Sequence, residues 1–142
     1  MNSSLYPIIK LRRGKDEAVR RYHPWIFSGA IETAAPNLQA GDTVTVVDSK
    51  NNILGTGFAE AGNIAVKILA FENRKIDADF WKERLAKAFE LRKMMGLTDN
   101  EHTNCYRLVH SEGDNLPGLI IDIYGKTAVI QAQTEGMALN VK

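Results

Sequence analysis

The sequence has little cysteine and no long apolar run, and each scarcity excludes a class of protein. Cys105 is the only cysteine among 142 residues, so an internal disulfide is impossible and a reducing compartment is favoured. No stretch approaches the roughly 18 consecutive apolar residues that a membrane helix needs. The first residues lack the cationic segment and apolar run of a secretory signal. We therefore expect a cytoplasmic protein with no membrane partner.

The net charge is also close to zero, because the chain has 18 Lys and Arg residues and 17 Asp and Glu residues, which gives +1. No global field attracts a polyanion, so any nucleic-acid contact must depend on a local patch. The segment with the largest excess of positive charge lies between residues 10 and 21 and contains six cations and two carboxylates. These cations are Lys10, Arg12, Arg13, Lys15, Arg20 and Arg21.

Metal-binding and nucleophilic patterns are missing. His23, His102 and His110 lack the spacing of a metal site, and one cysteine adds little, so we predict no metal. Cys105 has no neighbouring base or evident helix N-terminus that would activate its thiol. We therefore interpret Cys105 as incidental rather than as a nucleophile.

Three carboxylates near the end of the chain resemble a general acid–base set, but the sequence shows no pocket that would separate their pKa values. These residues are Glu112, Asp114 and Asp122. We interpret Asp114 as the organiser of a turn. Arg107 is expected to pair with Glu112 or Asp122.

Short strands punctuated by Gly, Asn and Pro dominate the first half, which predicts a small β-barrel or sandwich. The predicted strands are Ile8–Leu11, Trp25–Ile31, Thr43–Val47, Ile53–Ala59 and Ala65–Phe71. Two helical turns are predicted over Gly14–Arg21, and Pro24 ends them. Gly55 and Gly57 indicate a bulge or a close backbone approach.

A helix is predicted from Ala78 to Met95, because Asp77 can cap its start and Gly96 suits a left-handed end. Its apolar side chains recur at helical spacing, and towards the end of the helix the apolar stripe shifts around the helix surface. They are Trp81, Leu85, Ala88, Phe89, Leu91 and Met95.

The last third predicts a strand over Tyr106–His110 and a type II turn over Leu116–Leu119, with Gly118 at positive φ. A hairpin follows over residues 119–133 around Gly125 and Lys126. Thr134 starts a second short helix, which is marginal alone. We expect a fragment of a longer protein, and the alternative is a complete small protein.

Two motifs carry a family resemblance: Arg20–Ala30, which reads RRYHPWIFSGA, and Arg107–Asp122, with EGDNLPGL at its centre. With these, the chain resembles the N-terminal part of class I, S-adenosylmethionine-dependent large-subunit ribosomal RNA methyltransferases of the 5-methylcytosine type. The resemblance implies a mixed α+β fold in three parts. They are a PUA-like RNA-binding barrel at 1–73, a linking helix at 74–97 and the start of a truncated α/β domain at 98–142.

The resemblance also implies that the methyl donor and the catalytic cysteine belong to a later domain, so that this fragment binds no cofactor and is not catalytic. It implies ribosomal RNA as partner, and the predicted contacts are Lys10, Arg12, Arg13, Lys15, Arg20, Arg21 and His23. Trp25 and Phe27 are expected in the core rather than stacked on bases. The alternatives are a stand-alone PUA-type RNA-binding adaptor and a β-rich module without an RNA role.

Overall fold

The computed structural model describes residues 3–142, which form two compact units that divide between Lys75 and Ile76. The first contains β1 (Ile8–Leu11), α1 (Glu17–Arg20), β2 (Trp25–Phe27), β3 (Ile31–Ala34), β4 (Thr43–Val47), β5 (Ile53–Ala59) and β6 (Ile64–Ala70). The second contains α2 (Ala78–Met94), β7 (Cys105–His110), β8 (Leu119–Tyr124), β9 (Thr127–Ala132) and α3 (Glu135–Asn140).

The first unit is a curled six-stranded sheet, a half-barrel with the order β2-β6-β5-β4-β1-β3. Its pairs are antiparallel except β1 with β4, which is parallel. The predicted mixed α+β class, with a small β-sheet unit, a helix and a hairpin, is confirmed. The predicted barrel takes the form of a half-barrel, in which β2 and β3 are the edge strands.

Alternation along the strands builds the core of this unit. Val44 and Val46 on β4 have no exposed surface, and they pack with Leu11, Val19 and Val66. Removing such side chains from water is the main stabilising contribution to a sheet of this size. The core therefore fixes α1 against the sheet through Val19.

Gly55 and Gly57 permit the close approach that the sequence indicates. A Cβ atom on Gly57 would lie 2.3 Å from the carbonyl oxygen of Lys67, and one on Gly55 would lie 2.8 Å from that of Ala70. The pairing register also shifts between Thr56 and Gly57, which is the predicted bulge. Both glycines are thus required by the backbone of β6.

Two predicted elements of this unit are wrong in extent. Only Glu17–Arg20 of the predicted Gly14–Arg21 helix is helical, because Gly14 has φ +79° in a tight turn that ends at Lys15. The predicted strand Trp25–Ile31 is broken by a 3-10 turn over Ser28–Ala30. The chain then re-enters the sheet as β3 at the opposite edge.

In the second unit the ends of α2 are confirmed. Asp77 accepts a hydrogen bond from the Phe80 N–H at 3.0 Å. Gly96 has φ +77°, and the N–H groups of Gly96 and Leu97 donate to the last turn of the helix at 3.0 Å each. The predicted apolar stripe is partly wrong, because Phe80, Ala88 and Arg92 are buried whereas Phe89, Leu91 and Met95 are exposed.

The predicted turn and hairpin are confirmed. Leu119 N–H donates to the Leu116 carbonyl at 3.0 Å, and Gly118 has φ +86°. Strands β8 and β9 then pair from Leu119 with Ala132 to Tyr124 with Thr127. Within residues 3–142, no helix is long and apolar enough to cross a membrane.

Candidate nucleic-acid interface

A tight turn presents the first cations of the basic segment. Lys15 N–H donates to the Arg12 carbonyl at 3.0 Å, and Arg12 N–H donates to the Ala30 carbonyl at 2.8 Å. The side chains of Arg12, Arg13 and Lys15 are exposed, and no ion pair engages them within residues 3–142. The turn therefore offers three positive charges to solvent on a fixed backbone.

Lys10 precedes this turn on β1, where it pairs with Thr33 on one side and Val47 on the other. Its half-buried position follows from the sheet on both sides. Lys10 is therefore more restricted than the cations of the turn.

The two arginines at the end of α1 are paired with carboxylates. Arg20 Nε lies 2.5 Å from Asp16 Oδ2, and Arg20 Nη2 lies 2.8 Å from Asp48 Oδ2. The hydrogen bond to Asp16, with the charge of that carboxylate, raises the pKa of Arg20 above its usual range. Arg21 Nη2 lies 2.7 Å from Glu17 Oε1 one turn earlier.

Asp48 is buried and is held by its own loop. Burial alone would raise its pKa, but hydrogen bonds from the Asn52 side chain and the N–H groups of Asn52 and Lys50 lower it, as does the charge of Arg20. The N–H donors lie 2.8 Å (Lys50) and 2.9 Å (Asn52) from Asp48 Oδ1. Asp48 is therefore an anionic, fixed acceptor for Arg20.

Tyr22 ends α1 in a backbone conformation that normally favours glycine. It has φ +64°, its N–H donates to the Val19 carbonyl at 2.9 Å, and the His23 N–H donates to the Ala18 carbonyl at 2.9 Å. This is the hydrogen-bond pattern of a Schellman motif. The Tyr22 ring is 74% exposed and meets the Phe71 ring edge to face at 5.3 Å.

His23, Trp25 and Phe27 continue the segment along the edge strand β2. His23 Nδ1 accepts from the Trp25 N–H at 3.2 Å, and the Lys67 ammonium lies 5.7 Å from the centre of the Trp25 ring. Trp25 is half-buried. The prediction that Phe27 belongs to the core is wrong, because Phe27 is 52% exposed, whereas Ile26 between them faces the core.

Two of the three carboxylates considered in the second unit, Asp114 and Asp122, form structural ion pairs, as predicted. Asp114 forms a bidentate pair with the buried Arg92 at 2.9 and 2.7 Å and accepts from the His110 N–H at 2.6 Å. Burial alone would raise the pKa of Asp114, but the Arg92 hydrogen bonds lower it. Arg107 pairs with Asp122 at 2.7 and 3.1 Å, one of the two predicted choices.

The remaining reactive groups do not converge. Cys105 is exposed, and its thiol lies 3.4 Å from the Asn104 side-chain oxygen. Among residues 3–142, no three His, Cys, Asp or Glu side chains are placed to hold a metal ion together.

The predicted contact residues therefore lie in one continuous segment, which consists of the turn, the one-turn helix α1 and the end of that helix. Lys10 precedes this segment on strand β1. Sequence reasoning missed Asp48 as a partner of Arg20 and Lys67 as a neighbour of Trp25. Asp48 lies in the polar run Asp48–Asn52 between two predicted strands, but its burial has no local signal. The pairing of Trp25 with Lys67 depends on the register of β2 against β6.

Comparison with known proteins identifies a domain family in the first unit and relatives that are similar over most of the chain. Residues 9–71 match the PUA-like domain family. A protein named ribosomal RNA large subunit methyltransferase I from Alteromonas mediterranea is 38% identical over 128 residues, which cover 89% of this chain and 32% of the relative. A protein of the same name from Klebsiella pneumoniae is 33% identical over 138 residues, or 96% of this chain and 34% of the relative.

Two solved structures share the fold. A protein described as a SAM-dependent methyltransferase from Streptococcus mutans has a TM-score of 0.78 and 17% identity, and the match covers 94% of this chain and 35% of that one. A second protein, described as a methyltransferase and complexed with SAH, has a TM-score of 0.76 and 17% identity, and the match covers 94% of this chain and 34% of that one. The chain thus spans about one third of the length of the curated relatives it matches.

Proposed function

Residues 9–71 form a PUA-like domain and the chain is homologous over most of its length to proteins named ribosomal RNA large subunit methyltransferase I, so we propose that it is the RNA-docking part of such an enzyme. On this proposal the whole protein transfers a methyl group from S-adenosylmethionine to large-subunit ribosomal RNA in the cytoplasm. The target atom is carbon five of a cytosine, on the resemblance of the two sequence motifs.

The observation that carries the docking role is the exposed basic turn Arg12–Lys15. A guanidinium group binds two phosphate oxygens with its planar fork, and exposed cations release counterions from the RNA on binding. The segment between residues 10 and 21 keeps an excess of positive charge in a chain whose net charge is only +1. A local field of this kind orients RNA without attracting it to the whole surface.

Aromatic groups beside the cations supply a second mode of contact. Tyr22 is exposed at the end of α1, and Phe27 is exposed on the edge strand. Unpaired bases stack on such rings, which distinguishes single-stranded segments of folded RNA from helical ones. We therefore propose that the segment binds phosphates through its turn and bases through Tyr22.

Binding of the methyl donor is not assigned to this chain. The second unit has a cleft of about 370 Å³ lined mainly by apolar side chains, among them Trp81, Leu85 and Met137. No carboxylate is among its lining residues to receive the ammonium or ribose hydroxyls of the donor. These residues do not fit S-adenosylmethionine, so we place neither cofactor binding nor catalysis here.

The docking role is tested by the salt dependence of RNA binding. We compare the wild-type chain with an Arg12→Ala, Arg13→Ala, Lys15→Ala triple variant on deproteinised large-subunit ribosomal RNA, from 50 to 300 mM salt. Each lost phosphate contact should reduce the slope of log K against log salt by about 0.7–0.9. The triple variant is expected to bind at least tenfold more weakly, with a shallower slope.

Lys126→Ala is the matched control, since it removes a cation from an exposed hairpin turn in the second unit. It should change affinity by less than twofold. Equal binding by the triple variant and the wild type would contradict the docking role, and so would equal losses in the triple variant and the control.

The runner-up function is a stand-alone PUA-type adaptor that binds RNA without taking part in methylation. Both functions predict the same salt dependence, so a different measurement separates them. If the longer protein containing this chain methylates ribosomal RNA, the triple variant should lower its activity at limiting RNA concentration. An adaptor would bind RNA with no methyl transfer in any form of the protein.

A further inference from the structure

Arg20 is held at two of its three guanidinium nitrogens by carboxylates. Nε lies 2.5 Å from Asp16 and Nη2 lies 2.8 Å from Asp48, which is itself buried. The third nitrogen, Nη1, has no hydrogen-bond partner within residues 3–142. The Arg20 side chain is nevertheless 54% exposed.

The two carboxylates are anchored on different parts of the first unit. Asp16 immediately precedes α1, four residues before Arg20. Asp48 lies in the loop between β4 and β5, where the N–H groups of Lys50 and Asn52 fix one oxygen and the Asn52 side chain donates to the other at 3.0 Å. A planar group that is hydrogen-bonded at two corners to carboxylates on two different segments has little freedom at its third corner.

We propose that Arg20 is a preoriented donor for one RNA phosphate and that Asp16 and Asp48 are the positioning residues that aim its Nη1 group. The inference rests on the proposed RNA-docking function and deepens it. A flexible arginine must lose rotamer freedom when it binds, whereas Arg20 has lost most of that freedom already in the free protein. The held fork of Arg20 therefore selects the geometry of the bound phosphate, and the exposed cations Arg12, Arg13 and Lys15, unpaired within residues 3–142, supply attraction.

The proposal makes a prediction whose sign opposes simple electrostatics. Removing a negative charge near a polyanion site should tighten RNA binding, because repulsion decreases. If Asp16 and Asp48 aim Arg20, however, removing either charge releases the guanidinium and weakens binding. The two accounts therefore predict changes in opposite directions for the same substitution.

The experiment measures RNA affinity of the chain for deproteinised large-subunit ribosomal RNA with Arg20→Lys, Asp16→Asn and Asp48→Asn. Arg20→Lys keeps the charge and loses the fork, and should weaken binding about fivefold. Each Asp→Asn variant should weaken it about threefold. Arg107→Lys and Asp122→Asn alter a comparable bidentate pair in the second unit and should change affinity by less than twofold.

A spectroscopic readout separates positioning from general stability. The Nε–H resonance of Arg20 should be sharp in the free wild-type chain, shift when RNA is added, and broaden in Asp16→Asn. Melting temperatures identify any variant that unfolds. If Asp48→Asn does, Arg20→Lys and Asp16→Asn decide the matter, because Asp16 is less buried.

Tighter or unchanged binding by folded Asp16→Asn, or by folded Arg20→Lys, would overturn the positioning role. If the basic-turn triple variant still weakens binding in that case, the docking function stands and only this inference fails. If the triple variant also binds like the wild type, the docking function itself fails.

Discussion

At the scale of single residues, Tyr22 combines a strained backbone with an exposed ring. A side chain at positive φ costs about 1–3 kcal/mol relative to glycine, and the edge-to-face contact with Phe71 returns about 0.5–1.5 kcal/mol. Tyr22→Gly should therefore change the free energy of unfolding by less than about 1 kcal/mol. The same substitution should weaken RNA binding several-fold, because it removes a stacking ring.

Tyr22→Ala is the control for backbone strain, since it keeps the strain and loses the ring. It should be less stable than Tyr22→Gly in urea unfolding, with the same loss of RNA affinity. Wild-type affinity in both variants would exclude Tyr22 from the interface.

Gly118 tests the turn that precedes the hairpin. A Cβ atom there would lie 2.6 Å from Oγ1 and Cγ2 of Thr134, and φ is +86°. Gly118→Ala should therefore cost more than about 2 kcal/mol from strain and overlap combined. Gly96→Ala is the matched control, because Gly96 has φ +77° with nothing within 4 Å. Equal losses of unfolding free energy in the two variants would show that the contact with Thr134 contributes nothing.

At the scale of elements, the Arg92–Asp114 pair joins α2 to the segment after β7. The Asp114 side chain is 4% exposed, and Arg92 Nε also donates to the Arg107 carbonyl at 2.9 Å. Removing one partner of a buried pair costs about 3 kcal/mol or more, because a buried charge is left alone. Asp114→Asn should therefore destabilise the chain at neutral pH.

The pH dependence of this loss follows from the lowered pKa of Asp114. The stabilisation is complete above the unfolded-state pKa of about 3.9 and is lost as pH falls through the lower folded-state pKa. The difference in unfolding free energy between wild type and Asp114→Asn should therefore narrow below about pH 4. Urea unfolding from pH 7 to pH 3 measures it, and a constant difference would contradict the assignment.

The elements that were predicted correctly are those determined by neighbouring residues, such as turn residues and helix caps. The bounds of β1, β4 and β5 follow from short apolar runs between turn residues, and Asp77 and Gly96 mark the ends of α2. The break at Ser28–Ala30 was missed, although Ser28 and Gly29 interrupt the apolar residues of the predicted strand Trp25–Ile31. A half-barrel and a closed barrel contain similar strands, so the sequence did not distinguish them.

Contacts distant in sequence explain the other differences. The burial of Arg92 in α2 depends on Asp114, which lies 22 residues later. The pairing of Arg20 with Asp48 spans 28 residues. The exposure of Phe27 follows from the position of β2 at the sheet edge, which only the strand order reveals. The cations between residues 10 and 21 were identified from the local excess of Lys and Arg. Only the structure shows which of them form ion pairs and which do not.

At the scale of the whole molecule, the near-neutral chain places five exposed cations and the exposed rings of Tyr22 and Phe27 in one continuous segment of the first unit, residues 12–27. On the proposed function, docking by this segment allows a chain with a net charge of only +1 to bind a polyanion. The second unit supplies exposed apolar surface and ion pairs that serve its own structure.

The most direct test of this account is an NMR titration of the isotopically labelled chain with deproteinised large-subunit ribosomal RNA fragments. We predict that the largest amide shifts fall between Arg12 and Phe27 and decrease with added salt, while amides of β7, β8 and β9 change little. The account is contradicted if the largest shifts fall in the second unit, or if RNA at saturating concentration leaves Arg12–Phe27 unchanged.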